Sequence, residues 1–272
     1  MDKKQELIHV YKTLISLAAV LVMSTSLCFA RELPTDKPVE KPSTEVQQPL
    51  FLQHEHTSKC ILTSAEPVQI ICILDRSGSM RKVAEDTIGG YNTFIEKQKQ
   101  KKGRAEVTTV LFDDRYEKIV DAKDIQKVPE LTNKNYYPRG MTALLDAVGR
   151  TITGTMDKMN QNGICPAKRR VLFLIMTDGK ENNSVEYTKA DVKAMIDTAS
   201  KEYKWNFIFM GANIDSVSEA AALGIGADHA VNYKHDAGGV RQSFSRMDAA
   251  ASEMRDKGSV GESWKQAGEQ PQ

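Results

Sequence analysis

The sequence predicts an α/β fold: a doubly wound, mostly parallel six-stranded sheet with helices on both faces and one antiparallel edge strand. Two observations carry that prediction. Short, β-branched apolar runs alternate with longer stretches whose apolar residues recur at helical spacing, the pattern of buried strands joined by crossover helices. Two of those runs, ending at Leu74 and Met176, stop abruptly just before a carboxylate, Asp75 and Asp178. The carboxyl ends of strands are where open α/β sheets place ligands.

Taken in order, residues 1–30 read as a secretory signal peptide. Lys3, Lys4 and Lys12 supply a basic start, Leu14 to Met23 an apolar core, and Cys28-Phe29-Ala30 small residues around a cleavage point. An uncleaved membrane anchor is the minority alternative, because the apolar stretch is short of the roughly 20 residues a span needs. Residues 31–65 read as a linker, with Pro34, Pro38, Pro42 and Pro49 among Glu, Lys, Thr and Gln. The first strand is expected over about Val68–Leu74, followed by a helix from Arg81 to Lys101. Gly89-Gly90 inside that helix weakens it by ~1 kcal/mol per glycine, and a close approach of helix to sheet is the expected reason. Ala105–Phe112 is the second strand, Asp113-Asp114 a tight turn, and Tyr116–Val120 the antiparallel edge. A loop with Pro129 and Pro138 delivers Thr142 to a helix running to Met159. Leu145, Val148, Ile152, Met156 and Met159 form its core stripe.

Arg170–Met176 is the next strand. Thr188 and Asp191 open a helix as a capping box. Trp205–Met210 is a strand, Ser216 begins a short helix that stops at Gly224, and His229–Tyr233 is the last strand. His229 and His235, flanking it, read as surface residues. Gly239–Lys257 is the closing helix, and residues 258–272 a polar tail. The expected domain spans residues 66–257.

The chemistry concentrates in Asp75-Arg76-Ser77-Gly78-Ser79. Three hard oxygen donors within five residues suit Mg²⁺, Ca²⁺ or Mn²⁺ rather than Zn²⁺. By itself the pattern is no more than helix N-cap chemistry. Two further pieces accompany it: Thr142 at the start of an amphipathic helix, and Thr177-Asp178-Gly179 at the end of a strand. Asp-x-Ser-x-Ser, then Thr, then Asp-Gly, each at an element boundary, resembles the metal-ion-dependent adhesion site of von Willebrand factor A-type domains. The resemblance covers about residues 66–257 and all five positions: Asp75, Ser77, Ser79, Thr142 and Asp178. Thr87 to Asn92 and Gly211 to Asp215 look like a bacterial and phage-borne branch of that family.

The resemblance implies a strand order of 3-2-1-4-5-6, which makes the Asp75 and Asp178 strands neighbours. It implies a divalent cation, with Mg²⁺ foremost and Ca²⁺ or Mn²⁺ as alternatives. Ser77 and Ser79 would bind it directly, and Asp75, Thr142 and Asp178 directly or through water. It implies a protein-binding module, not an enzyme, whose ion is bridged to an acidic side chain of a partner protein. Two other classes stay open at this point. A metal-dependent phosphohydrolase would want an acid two residues after Asp75, where Ser77 stands. A structural subunit would use the ion only to brace loops.

Charge and cysteines narrow the partners. The chain carries 37 Lys and Arg against 36 Asp and Glu. The leader holds three of the former and two of the latter, so the remainder balances and nucleic acid is a poor partner. Of four cysteines, Cys28 falls in the leader and Cys72 in the first strand, where it reads as a small buried hydrophobe. Cys60 and Cys165 sit in loop-like sequence and could pair in an exported protein. His54-Glu55-His56 reads as a solvated loop.

Overall fold

The computed structural model of the protein describes residues 67–268. The leader, the linker, Cys28, Cys60 and His54-Glu55-His56 all lie outside them. Among the described residues the strands are β1 (Val68–Asp75), β2 (Ala105–Phe112), β3 (Tyr116–Asp124), β4 (Val171–Thr177), β5 (Asn206–Gly211) and β6 (Ala230–Asn232). The helices are α1 (Ala84–Gln100), α2 (Leu144–Gln161), α3 (Lys189–Glu202), α4 (Ser216–Ala222) and α5 (Ala237–Lys257). The sheet order is β3-β2-β1-β4-β5-β6, with only the β2–β3 pair antiparallel. The expected order therefore holds, and β1 and β4 lie side by side at the point where the winding reverses.

The period-2 alternation of β1 sorts its side chains between two cores. Ile70, Cys72 and Leu74 join one core with Tyr91 and Phe94 of α1 and with Val240, Phe244 and Met247 of α5. Ile71 and Ile73 join the other, with Val148 and Ile152 of α2 and with Val192 and Ile196 of α3. Every residue of β1 and β4 is buried, as a central parallel strand covered on both faces requires. Burial pushes the Cys72 thiol up to about 12, so Cys72 is an inert part of the core.

Several local expectations shift for identifiable reasons. The first helix begins as a 3₁₀ turn over Gly78–Val83 before α1 proper. The helix expected from Thr142 begins at Leu144, which leaves Thr142 in the preceding loop. The edge strand β3 runs past Val120 to Asp124, because two register shifts flanking Thr109 and a left-handed Ala122 (φ 43°) absorb two extra residues. The capping box of Thr188 and Asp191 is present at α3. At α4 the cap is Asp215, which accepts from the Ser218 amide. At α5 it is Asp236, which accepts from the Gly239 amide.

The polar tail expected from residue 258 is corrected in its first part. Gly258, left-handed at φ 84°, ends α5, and the chain returns so that Val260 and Trp264 enter the α1–α5 core. The composition of the segment is polar, but one indole outweighs it. The reason for the glycine pair also differs from expectation. Gly90 faces another helix, where an added Cβ would stand 2.2 Å from the Phe244 ring, whereas Gly89 has nothing within 4 Å.

That contrast makes a prediction. Gly89→Ala should stabilise the protein by up to about 1 kcal/mol through helix propensity. Gly90→Ala should destabilise it, because the roughly 1–3 kcal/mol cost of overpacking against Phe244 exceeds the same gain. Urea unfolding of both variants measures the difference; equal stabilisation would contradict the packing of α1 on α5.

Candidate metal centre

The site forms from the loops that leave the carboxyl ends of β1 and β4 and from the loop before α2, with the turn after β2 beside them. Asp75 closes β1 and is fully buried. Its Oδ1 accepts from the Ser77 amide at 2.7 Å, and its Oδ2 accepts from Thr177 Oγ1 at 2.6 Å. The first bond turns the chain tightly after the strand, and the second ties the end of β1 to the end of β4. Ser79 Oγ donates to Asp178 Oδ1 at 2.6 Å, and Ser77 Oγ lies 3.0 Å from Ser79 Oγ. A hydroxyl has one proton. Ser79 gives its own to Asp178, so Ser77 is the donor to Ser79. Ser77, Ser79 and Asp178 thus form one chain of oxygens, with Asp75 behind it bracing Ser77.

Thr142 reaches the same place from the loop before α2. Its amide donates to Asn182 Oδ1 at 2.9 Å, and the Asn182 amide donates back to the Thr142 carbonyl at 3.0 Å. Its Oγ1 stands 3.9 Å from where a Cβ on Gly179 would be, which puts the hydroxyl beside the residue after Asp178. The Gly78 amide donates to the Gly140 carbonyl at 3.2 Å and the Arg139 amide to the Arg76 carbonyl at 3.0 Å. The serine loop and the threonine loop are therefore stitched together through their backbones. Asp75, Ser77, Ser79 and Asp178 are linked by hydrogen bonds, and Thr142 stands beside Gly179.

A buried ion network holds the third loop. Arg76 and Asp113 are both fully buried and 3.2 Å apart, and Arg139 Nε donates to Asp113 at 2.8 Å. Glu117 accepts from Arg76 at 3.0 Å and from Arg139 at 2.6 Å. The Arg76 hydrogen bond is the leading reason that the Glu117 carboxyl lies below the usual range. The Tyr137 ring stacks against both guanidiniums, at 5.1 and 4.8 Å. Asp113 therefore serves the turn and this network, not the site.

Sequence reasoning missed four contributors. Asn182 clamps Thr142. Glu181 accepts from the Leu145 amide, and Asp146 accepts from the amides of Val185, Glu186 and Tyr187. Between them these residues tie the loop after Asp178 to the first turn of α2. Asn182 and Glu181 are ordinary polar residues in loop-like sequence and Asp146 is one on a helix, and only their partners reveal the role. The fourth is His235, expected at the surface. Its side chain is 14 % exposed, and its Nε2 lies 3.0 Å from Asp178 Oδ2. Neither atom makes an aligned hydrogen bond there, and the buried Tyr233 hydroxyl also has no hydrogen-bond partner. Burial pushes the Tyr233 phenol well up, with Asp178 and Asp75 adding to the rise.

Such an arrangement suits a hard cation. Asp178 is buried, yet its Oδ2 has no hydrogen-bond donor, and a charge so placed calls for a counter-charge. Among the described residues no group of three or more His, Cys, Asp or Glu side chains could hold a metal by itself. Here hydroxyls supply much of the donor set, as oxygen-loving cations accept. The outer rim carries Tyr137 and Met141, which are 42 % and 52 % exposed.

No protein-family model matches the sequence, and no curated protein does. Solved structures do match. Proximal thread matrix protein 1 from the mussel byssus superposes with a TM-score of 0.50 at 13% identity, over 69% of this chain and 48% of that one. A von Willebrand factor type A protein from Catenulispora acidiphila gives 0.46 at 17%, over 70% and 43%. Manganese-loaded TRAP protein from Plasmodium vivax gives 0.46 at 15%, over 67% and 74%. This chain spans about half the length of the mussel protein, and the likeness is one of fold.

Burial pushes the Asp75 carboxyl up to about 6; hydrogen bonds from Thr177 and Ser77 pull against it, and the Asp178 charge adds to the rise. The folded protein therefore holds this proton more tightly than the unfolded chain, and stability is lost as pH rises from about 4 through about 6. Asp75→Asn lacks that loss, and its amide fits: Thr177 Oγ1 can accept from it while giving its own proton to the Gly179 carbonyl at 3.1 Å. In chelator, the stability of the wild type relative to Asp75→Asn should fall by about 2.4 kcal/mol between pH 4 and pH 7. Urea titrations across that range measure it, and a flat difference would mean that Asp75 is not desolvated.

Proposed function

We propose, from the premise that this chain has the fold of a von Willebrand factor A-type domain, that it is a cation-dependent protein-binding module without catalysis. Ser77, Ser79, Thr142 and Asp178 would hold a divalent cation, with Mg²⁺ the first choice and Ca²⁺ or Mn²⁺ the alternatives. The single observation that carries this reading is the buried Asp178 carboxylate, whose Oδ2 lacks a hydrogen-bond donor at the end of a chain of serine oxygens. A bound cation supplies Lewis acidity toward one more oxygen donor.

The chain's own residues do the rest. Asp75 orients Ser77 from behind and adds a second negative charge, with each of its oxygens already accepting one hydrogen bond. Asn182 fixes the Thr142 backbone. The Arg76–Asp113–Arg139–Glu117 network keeps the loops from sliding. Tyr137 and Met141 offer apolar contact at the rim. A partner would dock an acidic side chain in the cleft and cover that rim. Capture of a carboxylate in a partly dry cleft is strong because screening is weak there.

Ser77, standing where a phosphohydrolase would want a general acid, weighs against that reading. An exported setting belongs to the same proposal. Cys165 is disulfide-bonded, its partner is not among the described residues, and disulfides persist in oxidising compartments. Among the described residues no helix is long and apolar enough to cross a membrane.

Two measurements test this reading. Ser77→Ala combined with Ser79→Ala should lower Mg²⁺ affinity in calorimetry by about 100-fold or more, with circular dichroism unchanged; unaltered affinity would place the cation elsewhere. Pull-downs from the protein's own cells, with and without a chelator, should differ in what is recovered. Identical sets in both arms would rule out a bridge through the cation, and collapse of the serine variant's fold would favour a purely structural ion.

A further inference from the structure

His235 lies outside the five-residue pattern, yet the fold drives it into the site. After β6 the Tyr233 amide donates to the Gly211 carbonyl at 2.9 Å, and the Asp236 amide to the Lys234 carbonyl at 2.8 Å. Asp236 then caps α5. Gly239 lets the helix start press on this turn: a Cβ there would stand 2.0 Å from the Lys234 carbonyl oxygen. The segment from Tyr233 to Gly239 therefore has little freedom, and the imidazole it carries is placed against Asp178 rather than left in solvent.

The ordinary explanation is an ion pair between His235 and Asp178. That explanation predicts a ring N–H aimed at the carboxylate. The distance, 3.0 Å, would allow such a bond, but the alignment is missing, and both atoms remain buried without a hydrogen-bond partner. Two donors facing a common point have this geometry instead. Neighbouring ligands around a six-coordinate ion with bonds near 2.1 Å lie about 3.0 Å apart. The Ser77 and Ser79 oxygens are separated by the same 3.0 Å.

We infer that His235 is a nitrogen ligand of the cation held by Ser77, Ser79, Thr142 and Asp178, and that it tilts the site from Mg²⁺ toward Zn²⁺. The inference rests on the reading of those four residues given above. An imidazole nitrogen is a poor exchange for water at Mg²⁺ and a good one at Zn²⁺ or the other late first-row dications. The Nδ1 nitrogen would carry the proton, leaving the Nε2 lone pair to the ion. With Asp75 orienting Ser77 from behind, four side-chain oxygens and one nitrogen would still leave a position for a partner's carboxylate. The oxygen-only preference expected from Asp-x-Ser-x-Ser would thus be overridden by a residue 156 positions away from Ser79 along the chain.

The test compares the wild type, His235→Ala and the Ser77→Ala/Ser79→Ala double variant, with circular dichroism as the check on folding. Zn²⁺ and Mg²⁺ affinities come from calorimetry, and Mn²⁺ serves as a paramagnetic probe for pulsed EPR. The wild type should bind Zn²⁺ more tightly than Mg²⁺ and show ¹⁴N modulation on bound Mn²⁺. His235→Ala should lose about tenfold or more in Zn²⁺ affinity, change little for Mg²⁺, and lose the modulation. Absence of ¹⁴N coupling in the wild type, unchanged Zn²⁺ affinity in His235→Ala, or a gain for both ions in that variant would overturn the inference. The last result would make His235 a plug that competes with the cation. The double variant separates this from the broader reading: if it binds both ions like the wild type, the cation site itself is misplaced, whatever His235 does.

Discussion

Two carboxylates end neighbouring strands in a buried crevice, and that juxtaposition constrains everything around it. Asp75 and Asp178 are 0 % and 2 % exposed, and like charges in a low-dielectric setting raise each other's energy. The protein meets the problem unequally. Asp75 is supplied with two donors, Ser77 N–H and Thr177 O–H. Asp178 receives one, from Ser79, and keeps an oxygen without a donor facing His235. The first carboxylate is thereby satisfied on both oxygens, and the second keeps one oxygen without a donor. One crevice holds both because the parallel register of β1 on β4, Leu74 opposite Met176, brings the two strand ends level.

Rigid loops follow from the same requirement. Under the proposed reading, hydroxyls could hold a cation only if they are themselves held, since each contributes less than a carboxylate. The holding is done one layer out, by backbone bonds between the serine and threonine loops and by Arg76 and Asp113, which are both fully buried. Removing two charges from water is expensive, and a buried pair is weak evidence of net stability. Its value here is geometric. Arg76 stands between Asp75 and Ser77 in the chain, so anchoring its guanidinium on Asp113 and Glu117 fixes the backbone that presents the donors. The loop after Asp178 is held in the same manner through Asn182, Glu181 and Asp146.

The far end of the chain takes part as well. β6 has only three residues, too few to contribute much to the sheet. It matters because it aims the segment from Tyr233 to Gly239 across the ends of β4 and β5. The last helix, packed on α1 through Phe244 and Gly90, begins in that segment. The site and the α1–α5 core consequently share a short piece of backbone. Trp264 adds the return of the chain to the same core.

Sequence alone determined the fold class and the strand order, and it singled out five candidate positions. Apolar periodicity reports local burial, and Asp-x-Ser-x-Ser, Thr142 and Thr177-Asp178-Gly179 are short patterns whose meaning survives without coordinates. It also indicated the capping box at Thr188 and the burial of Cys72, both of which depend on near neighbours in the chain. Tertiary structure alone decided the rest. It decided that Asp75 accepts from the Ser77 amide and the Thr177 hydroxyl, that Asn182 and Asp146 lock the loops, that Gly90 meets a helix, that Trp264 is core, and that His235 faces Asp178. Each of these depends on which atom lies opposite across a long span of sequence. A lone histidine or asparagine has no periodicity to betray it; its chemistry is set by the partner that folding delivers.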